Sequence, residues 1–216
     1  MIAYITVKGN SVRCPRKNHT LLPYVFAYAR ELFDVVVITD DDELEGIAKE
    51  YGVEVYKDKN THKISEFHAI YGYLAEHGKL DLDEEFAILP VTQPLRTEDT
   101  MKAVRDLDMT GYDVVTTYSV VSNRSIFLLN DDNTFKVGSY NRKGCMCPTE
   151  KMADGVMYRM RNSFLKRIVE AKDTNHEFWH SRIKFVENTH PIFLDVDEPR
   201  DLELFNTLTN YGKNKL

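Results

Sequence analysis

Apolar residues along this chain follow two alternating rhythms. Short continuous runs, such as Ile2–Val7 and Val35–Ile38, read as strands buried on both faces. Between them Leu22, Val25, Phe26, Ala29, Leu32 and Phe33 recur at helical spacing, with Pro23 in the first turn. Leu44, Ile47, Ala48 and Tyr51 form a second helical face, closed by Gly52. Val53–Tyr56 predicts a strand, and Ser65 opens a helix carrying Phe67, Ile70, Tyr71 and Leu74 that ends at Gly78. Phe86–Leu89, a helix from Thr97 to Leu107 and a strand over Asp113–Thr117 follow. Further on come a strand over Val156–Met160, a helix over Ser163–Ala171, strands over Ile183–Glu187 and Ile192–Val196, and a last helix from Glu198 to Tyr211. This alternation predicts an α/β fold in three layers, its mostly parallel, doubly wound sheet covered by helices on both faces.

The rhythm breaks between about Asn130 and Asp154, where a turn cluster and an irregular polar stretch predict an inserted hairpin or arm. With no repeat or low-complexity linker, the 216 residues read as one domain, 1–216. Hydrophobic residues at 43% and aromatics at 11% argue for a packed core. A net charge of -6 without a basic stripe argues against nucleic acid as a partner. No apolar run approaches the roughly 20 residues that span a bilayer. Cys14, Cys145 and Cys147 lack zinc-site spacing, and with no secretory leader apparent the expectation is a cytoplasmic protein with reduced thiols.

In a parallel sheet, ligands collect beyond the carboxyl ends of the strands. Four polar segments follow predicted strands: Lys8–Asn18, Thr39–Asp42, Thr92–Arg96 and Asp195–Asp197. The first is rich in cations and directly follows the first strand, where phosphate cradles form, yet it carries neither a P-loop nor a dinucleotide fingerprint. In the last, Asp195 and Asp197 share a face of an extended segment, so their carboxylates suit a divalent cation. Asp197 also reads as the N-cap of the final helix, with Pro199 in its first turn; Asp195 has no such explanation. Asp41, Asp42 and Glu43 read as a capping run, and His62, His68, His77, His176, His180 and His190 as scattered surface residues.

Several of these segments together resemble the cytidylyltransferases that activate nine-carbon acidic sugars, the CMP-sialic acid synthetases. Pro15-Arg16-Lys17-Asn18 is similar to that family's Pro-x-Lys-Asn loop end, and Thr39-Asp40-Asp41-Asp42-Glu43 to its acidic turn. Pro94-Leu95-Arg96-Thr97 repeats its Pro-Leu-Arg-Thr, and Leu194-Asp195-Val196-Asp197 with Pro199, Asp201 and Leu202 looks like its closing motif. The resemblance covers nearly the entire chain and implies a Rossmann-like nucleotidyltransferase. That enzyme would transfer CMP from CTP to a 2-keto acidic sugar and release pyrophosphate.

By the same resemblance, Lys8, Gly9, Asn10, Ser11, Lys17 and Asn18 would hold the nucleotide, and Asp195 and Asp197 would hold Mg2+, with Lys17 catalytic beside them. Thr92, Gln93, Tyr158, Phe178 and Trp179 would face the sugar, and the insertion near 130–154 would make a homodimer. The chain departs from the family at Lys8, where an arginine is usual, and at Val12-Arg13, where a lysine and glycine stand; Arg13 is the candidate replacement. Lys57 and Lys59 are the cations near the expected base site. A same-fold enzyme using another nucleotide or a sugar phosphate, and a non-catalytic nucleotide-binding homologue, stay open as alternatives.

Overall fold

The computed structural model describes residues 1–58, 65–122 and 149–213. Most of the expected arm falls outside these residues, as do Lys59, Cys145 and Cys147; its final residues, 149–154, begin a strand. The first half runs β1 (Ile2–Val7), α1 (Lys17–Leu32), β2 (Asp34–Thr39), α2 (Asp42–Glu50), β3 (Glu54–Lys57), α3 (Glu66–Glu76), β4 (Glu85–Ile88) and α4 (Glu98–Asp106). The second half runs β5 (Val114–Ser122), β6 (Thr149–Arg161), α5 (Asn162–Glu170), α6 (Thr174–Trp179), β7 (Ile183–Glu187) and α7 (Pro199–Lys213).

The strands form one sheet in the order β3-β2-β1-β4-β6-β5-β7. β1 pairs in parallel with β2 on one side and β4 on the other, β2 with β3, and β5 with β7. Only β6 runs against its neighbours β4 and β5 among the described strands. The expected three-layer, mostly parallel sheet is therefore present.

Why β1 reads as an apolar run, with Thr6 its one polar residue, is clear from its two faces. Ala3, Ile5 and Val7 pack with Leu21, Leu22, Val25 and Phe26 of α1, Leu44 of α2, Met101 of α4 and Phe205 of α7. Tyr4 points the other way, into Phe67, Ile70 and Tyr73 of α3, Phe164 and Leu165 of α5, and Phe178 of α6. α1 and α3 thus lie on opposite faces, and the crevice between their connections opens at the carboxyl end of β1.

Three local expectations change. α1 starts at Lys17, so Pro23 lies in its second turn rather than its first. Its opening residues Lys17 and Asn18 are buried but polar, which hides the first turn from an apolar-periodicity reading. α6 was absent from the sequence reading; Asp173 caps it by accepting from the His176 amide at 3.0 Å. Finally, 192–196 forms no strand, although Leu194 and Val196 are buried and Asp195 and Asp197 are half-exposed, as strand alternation would give. Among the described residues, no helix is long and apolar enough to cross a membrane.

The acidic turn after β2 behaves as a cap. Asp41 Oδ1 accepts from the amides of Glu43 and Leu44, both at 2.9 Å, satisfying two free donors of α2. Asp41→Ala is expected to lower stability by about 1 kcal/mol. Gly46→Ala, on the exposed side of the same helix with open space around it, is expected to raise stability by about 0.5–1 kcal/mol. Urea unfolding midpoints of the two variants check both signs.

Candidate active site

The loop after β1 is shaped by its contact with the acidic turn. The Gly9 amide donates to Asp40 Oδ1 at 3.0 Å, and a Cβ at Gly9 would lie 2.1 Å from Asp41 Oδ2. Only glycine lets the two loops pass so closely. Arg16 takes a left-handed conformation with φ 64° and turns its guanidinium outward to Glu43, Nη1 to Oε2 at 3.1 Å. That turn starts α1 with Lys17 facing inward. Lys17 is only 6% exposed, and its ammonium donates to the Val196 carbonyl at 2.7 Å and to Asp197 Oδ1 at 3.0 Å. Arg13 reaches the same Asp197 oxygen at 3.0 Å. The cationic head and the acidic tail of the chain therefore meet.

Asp197 is not the cap of α7. Asp201 does that work instead, its Oδ2 accepting from the Asp197 and Glu198 amides at 3.1 and 2.9 Å. The Asp197 carboxylate is free to face Lys17 and Arg13. Asp195 beside it has a carboxyl pushed above the usual range by burial, with the Asp197 charge acting in the same direction. The Thr92 hydroxyl, Lys17 and Arg13 pull the other way. Its Oδ1 is buried with no partner.

The loop after β4 fixes this tail. Arg96, 2% exposed, donates through Nε to the Gln93 carbonyl at 3.2 Å and through Nη2 to the Pro90 carbonyl at 2.6 Å. Burial drives its pKa down to about 9, the Asp154 charge opposing, so it stays cationic at neutral pH. The loop so held offers the Thr92 carbonyl to the Val196 amide at 2.7 Å. The tail's hydrogen bonds thus go to a loop and a lysine, which is why no strand forms there.

β6 brings in Tyr158, paired in register with Ile88 at the end of β4. Its phenol lies across Gly155, whose φ is 61° and where a Cβ would sit 2.1 Å from the Tyr158 hydroxyl oxygen. Burial first, then the charges of Glu66, Asp154 and Asp195, hold this phenol above its usual range. Asp154 anchors the irregular stretch of β6, accepting from Ser119 at 2.6 Å and from Asn188 at 3.1 Å.

A cavity of about 520 Å³ opens among these parts, within the size range of ligand pockets. Lys8, Asn10, Ser11, Arg13, Lys17, Asn18 and Thr92 line it, together with Ser65 and Glu66 at the start of α3. Asn18 donates to the Lys8 carbonyl at 2.8 Å, leaving its own buried Oδ1 unpartnered. The Gly9 amide is committed to Asp40. Gln93 serves through its carbonyl as the Arg96 anchor. Phe178, 3% exposed, stacks on Phe67 at 5.2 Å and meets the Tyr158 ring edge-on at 5.8 Å, so it is core beneath the site. Trp179 is 53% exposed, and neither of the pair lines the cavity. Lys57 is tied to Asp42 and Glu45 instead of facing a base.

The sequence reading missed Glu66. A glutamate in a first helical turn reads as a dipole complement, and nothing local marks it as a cavity residue. It also took no histidines to form a His-x-x-x-His pair, yet His176 and His180 have that spacing and their rings stack at 4.0 Å. No third ligand joins them into a metal-binding group among the described residues.

Asp195 generates a test. Its folded pKa is raised, so the folded state binds that proton more tightly, and this contribution is lost as pH rises through the folded value. Asp195→Asn is therefore expected to raise the thermal midpoint at pH 7 without divalent cations. The gain should shrink as pH falls. Scanning calorimetry across pH checks both.

No family model and no curated protein matches the sequence. Solved structures do match. Over 98% of both chains it is similar to a CMP:2-keto-3-deoxy-manno-octonic acid synthetase complexed with CTP, TM-score 0.65 at 18% identity. A 4-diphosphocytidyl-2C-methyl-D-erythritol synthase matches at TM-score 0.64 and 12% identity, over 96% of this chain and 98% of that one. A cytidylyltransferase from Leptospira borgpetersenii matches at TM-score 0.62 and 14% identity, over 97% and 87%. The chain has the α/β nucleotidyltransferase fold shared by these cytidylyltransferases.

Proposed function

We propose that this protein is a magnesium-dependent cytidylyltransferase that joins CMP from CTP to a 2-keto acidic sugar and releases pyrophosphate. The observation that carries the reading is that Lys17 and Arg13, which line one cavity, both meet Asp197, two residues from Asp195. Cations there suit a triphosphate, and hard carboxylate oxygens suit magnesium. The buried, unpartnered Oδ1 of Asp195 fits such an ion, with Asp197 as the second ligand. When bound, magnesium would neutralise charge on the phosphates during transfer.

The protein's own side chains supply the rest. Lys17, fixed by the Val196 carbonyl, holds its charge in place before substrate arrives, so little reorganisation is needed during reaction. Arg13 is mostly exposed and can move from Asp197 to a phosphate. Asn18 presents an unused acceptor to the nucleotide. Thr92, fixed next to Asp195, and Tyr158 behind it form the side of the site assigned to the sugar.

A coupled pyrophosphate assay with CTP, magnesium and a panel of sialic, legionaminic, pseudaminic and Kdo-type acids tests the proposal. Turnover is expected with at least one, and Asp195→Ala should reduce it by about 100-fold or more. Silence toward every acid would overturn the acceptor assignment. A thermal-shift panel separates the nucleotides, since CTP at a hundredfold excess over its Kd should stabilise by about 2.7 kcal/mol and UTP, GTP and ATP by less. The homodimer proposed with this function predicts twice the chain mass by light scattering.

A further inference from the structure

The cavity has two chemically different walls. Lys8, Arg13 and Lys17 make one wall cationic, whereas the start of α3 contributes Glu66 to the opposite chemistry. Among the described residues, Glu66 has no hydrogen bond and no ion pair, unlike Asp195 and Asp197. Its backbone is fixed. The next residue, Phe67, is wedged into the core against Phe178, and Phe178 in turn abuts the Tyr158 ring. The Tyr158 phenol feels both the Glu66 and the Asp195 carboxylates, so the start of α3 lies on the same side of the site as Tyr158 and the acidic tail.

Resting on the cytidylyltransferase reading, we infer that Glu66 is the general base that takes the proton from the attacking sugar hydroxyl. As that hydroxyl oxygen forms its bond to the α-phosphorus, the proton passes to the Glu66 carboxylate. The bond from the α-phosphorus to the bridging oxygen breaks, and its electron pair leaves with pyrophosphate. Glu66 then returns the proton to solvent after the products depart.

Two features fit this role. A base that was ion-paired to a lysine would be too weak to accept a proton at neutral pH, and among the described residues Glu66 has no such partner. Ringed by protein yet open to the cavity, its carboxyl is pushed up to about 7 by burial, near the value best suited to proton transfer in neutral solution. Other groups that share its surroundings are Lys8, Arg13 and Lys17 across the cavity, Tyr158 and Asp195 behind the wall, and His68 on α3 itself. His68 bonds the Ser65 hydroxyl through Nδ1 at 2.8 Å and is the neighbouring imidazole from which the test must separate Glu66.

The test compares wild type, Glu66→Gln and His68→Asn by pyrophosphate release across pH 5.5–9, with CTP affinity measured by calorimetry on each. The wild-type rate is expected to rise about tenfold per pH unit below neutrality. Glu66→Gln should lower kcat by roughly 100- to 10,000-fold, flatten that limb and leave CTP affinity within about twofold. His68→Asn should keep the limb. Retained CTP binding shows that the glutamine variant folds. A limb that survives in Glu66→Gln, or is lost in His68→Asn, overturns the inference. So does a Glu66→Gln defect confined to CTP affinity, which would make Glu66 a nucleotide contact. A wild type silent toward every sugar acid instead overturns the parent reading, and this inference with it.

Discussion

A buried ammonium must find oxygen partners or the fold cannot hold it, and Lys17 finds them on the far end of the chain. The Val196 carbonyl and the Asp197 carboxylate both accept from it. Removing either kind of partner would leave a buried charge uncompensated, at a cost of several kcal/mol. The contact thereby fixes two things together: the direction of the first turn of α1 and the course of the tail before α7. Arg96 secures the same tail from the other side, by holding the loop whose Thr92 carbonyl accepts from the Val196 amide. Lys17 and Arg96 never touch a common atom, yet both act on one short segment.

The sheet explains why this segment lies where it does. β1 sits between β2 and β4, with α1 and α3 sent to opposite faces, and the crevice opens at its carboxyl end. β6 runs antiparallel against β4, so its middle, not its end, reaches that edge, which delivers Tyr158 beside Ile88. Gly155 then allows the phenol to lie flat across the strand. The Asp154 cluster with Ser119 and Asn188 compensates the interruption in the β5–β6 ladder. Irregularity in β6 is thus held by buried hydrogen bonds, as conserved features of a sheet rather than defects are.

Charge divides the site into complementary parts. Lys8, Arg13 and Lys17 would attract a polyanion, while Asp195, Asp197 and Glu66 would repel one unless a cation intervened. Asp195 and Glu66 both have raised carboxyl pKa values, and for both burial is the first cause. Carboxyls perturbed in this way are common at functional sites.

The alternation of apolar runs and helical stripes was enough to give the α/β class and most elements, because each must bury its own face and that demand is written locally. The cationic head and acidic tail were also legible, since their residues stand next to strand ends in the sequence. Other features were decided only in three dimensions. Asp195 and Asp197 keep strand-like alternation, but no neighbouring strand was available, so the segment bonds to Lys17 and Thr92 instead. Asp197 looks like a cap in sequence, and a fourth-neighbour carboxylate, Asp201, took that place. Phe178 reads as a ligand aromatic until packing puts it beneath Phe67 and Tyr158. Glu66 carries no local mark at all. Its environment is built by the loop after β1 and the loop after β4, on either side of it in sequence, and burial of that kind is a property of assembled surfaces, which no stretch of sequence contains by itself.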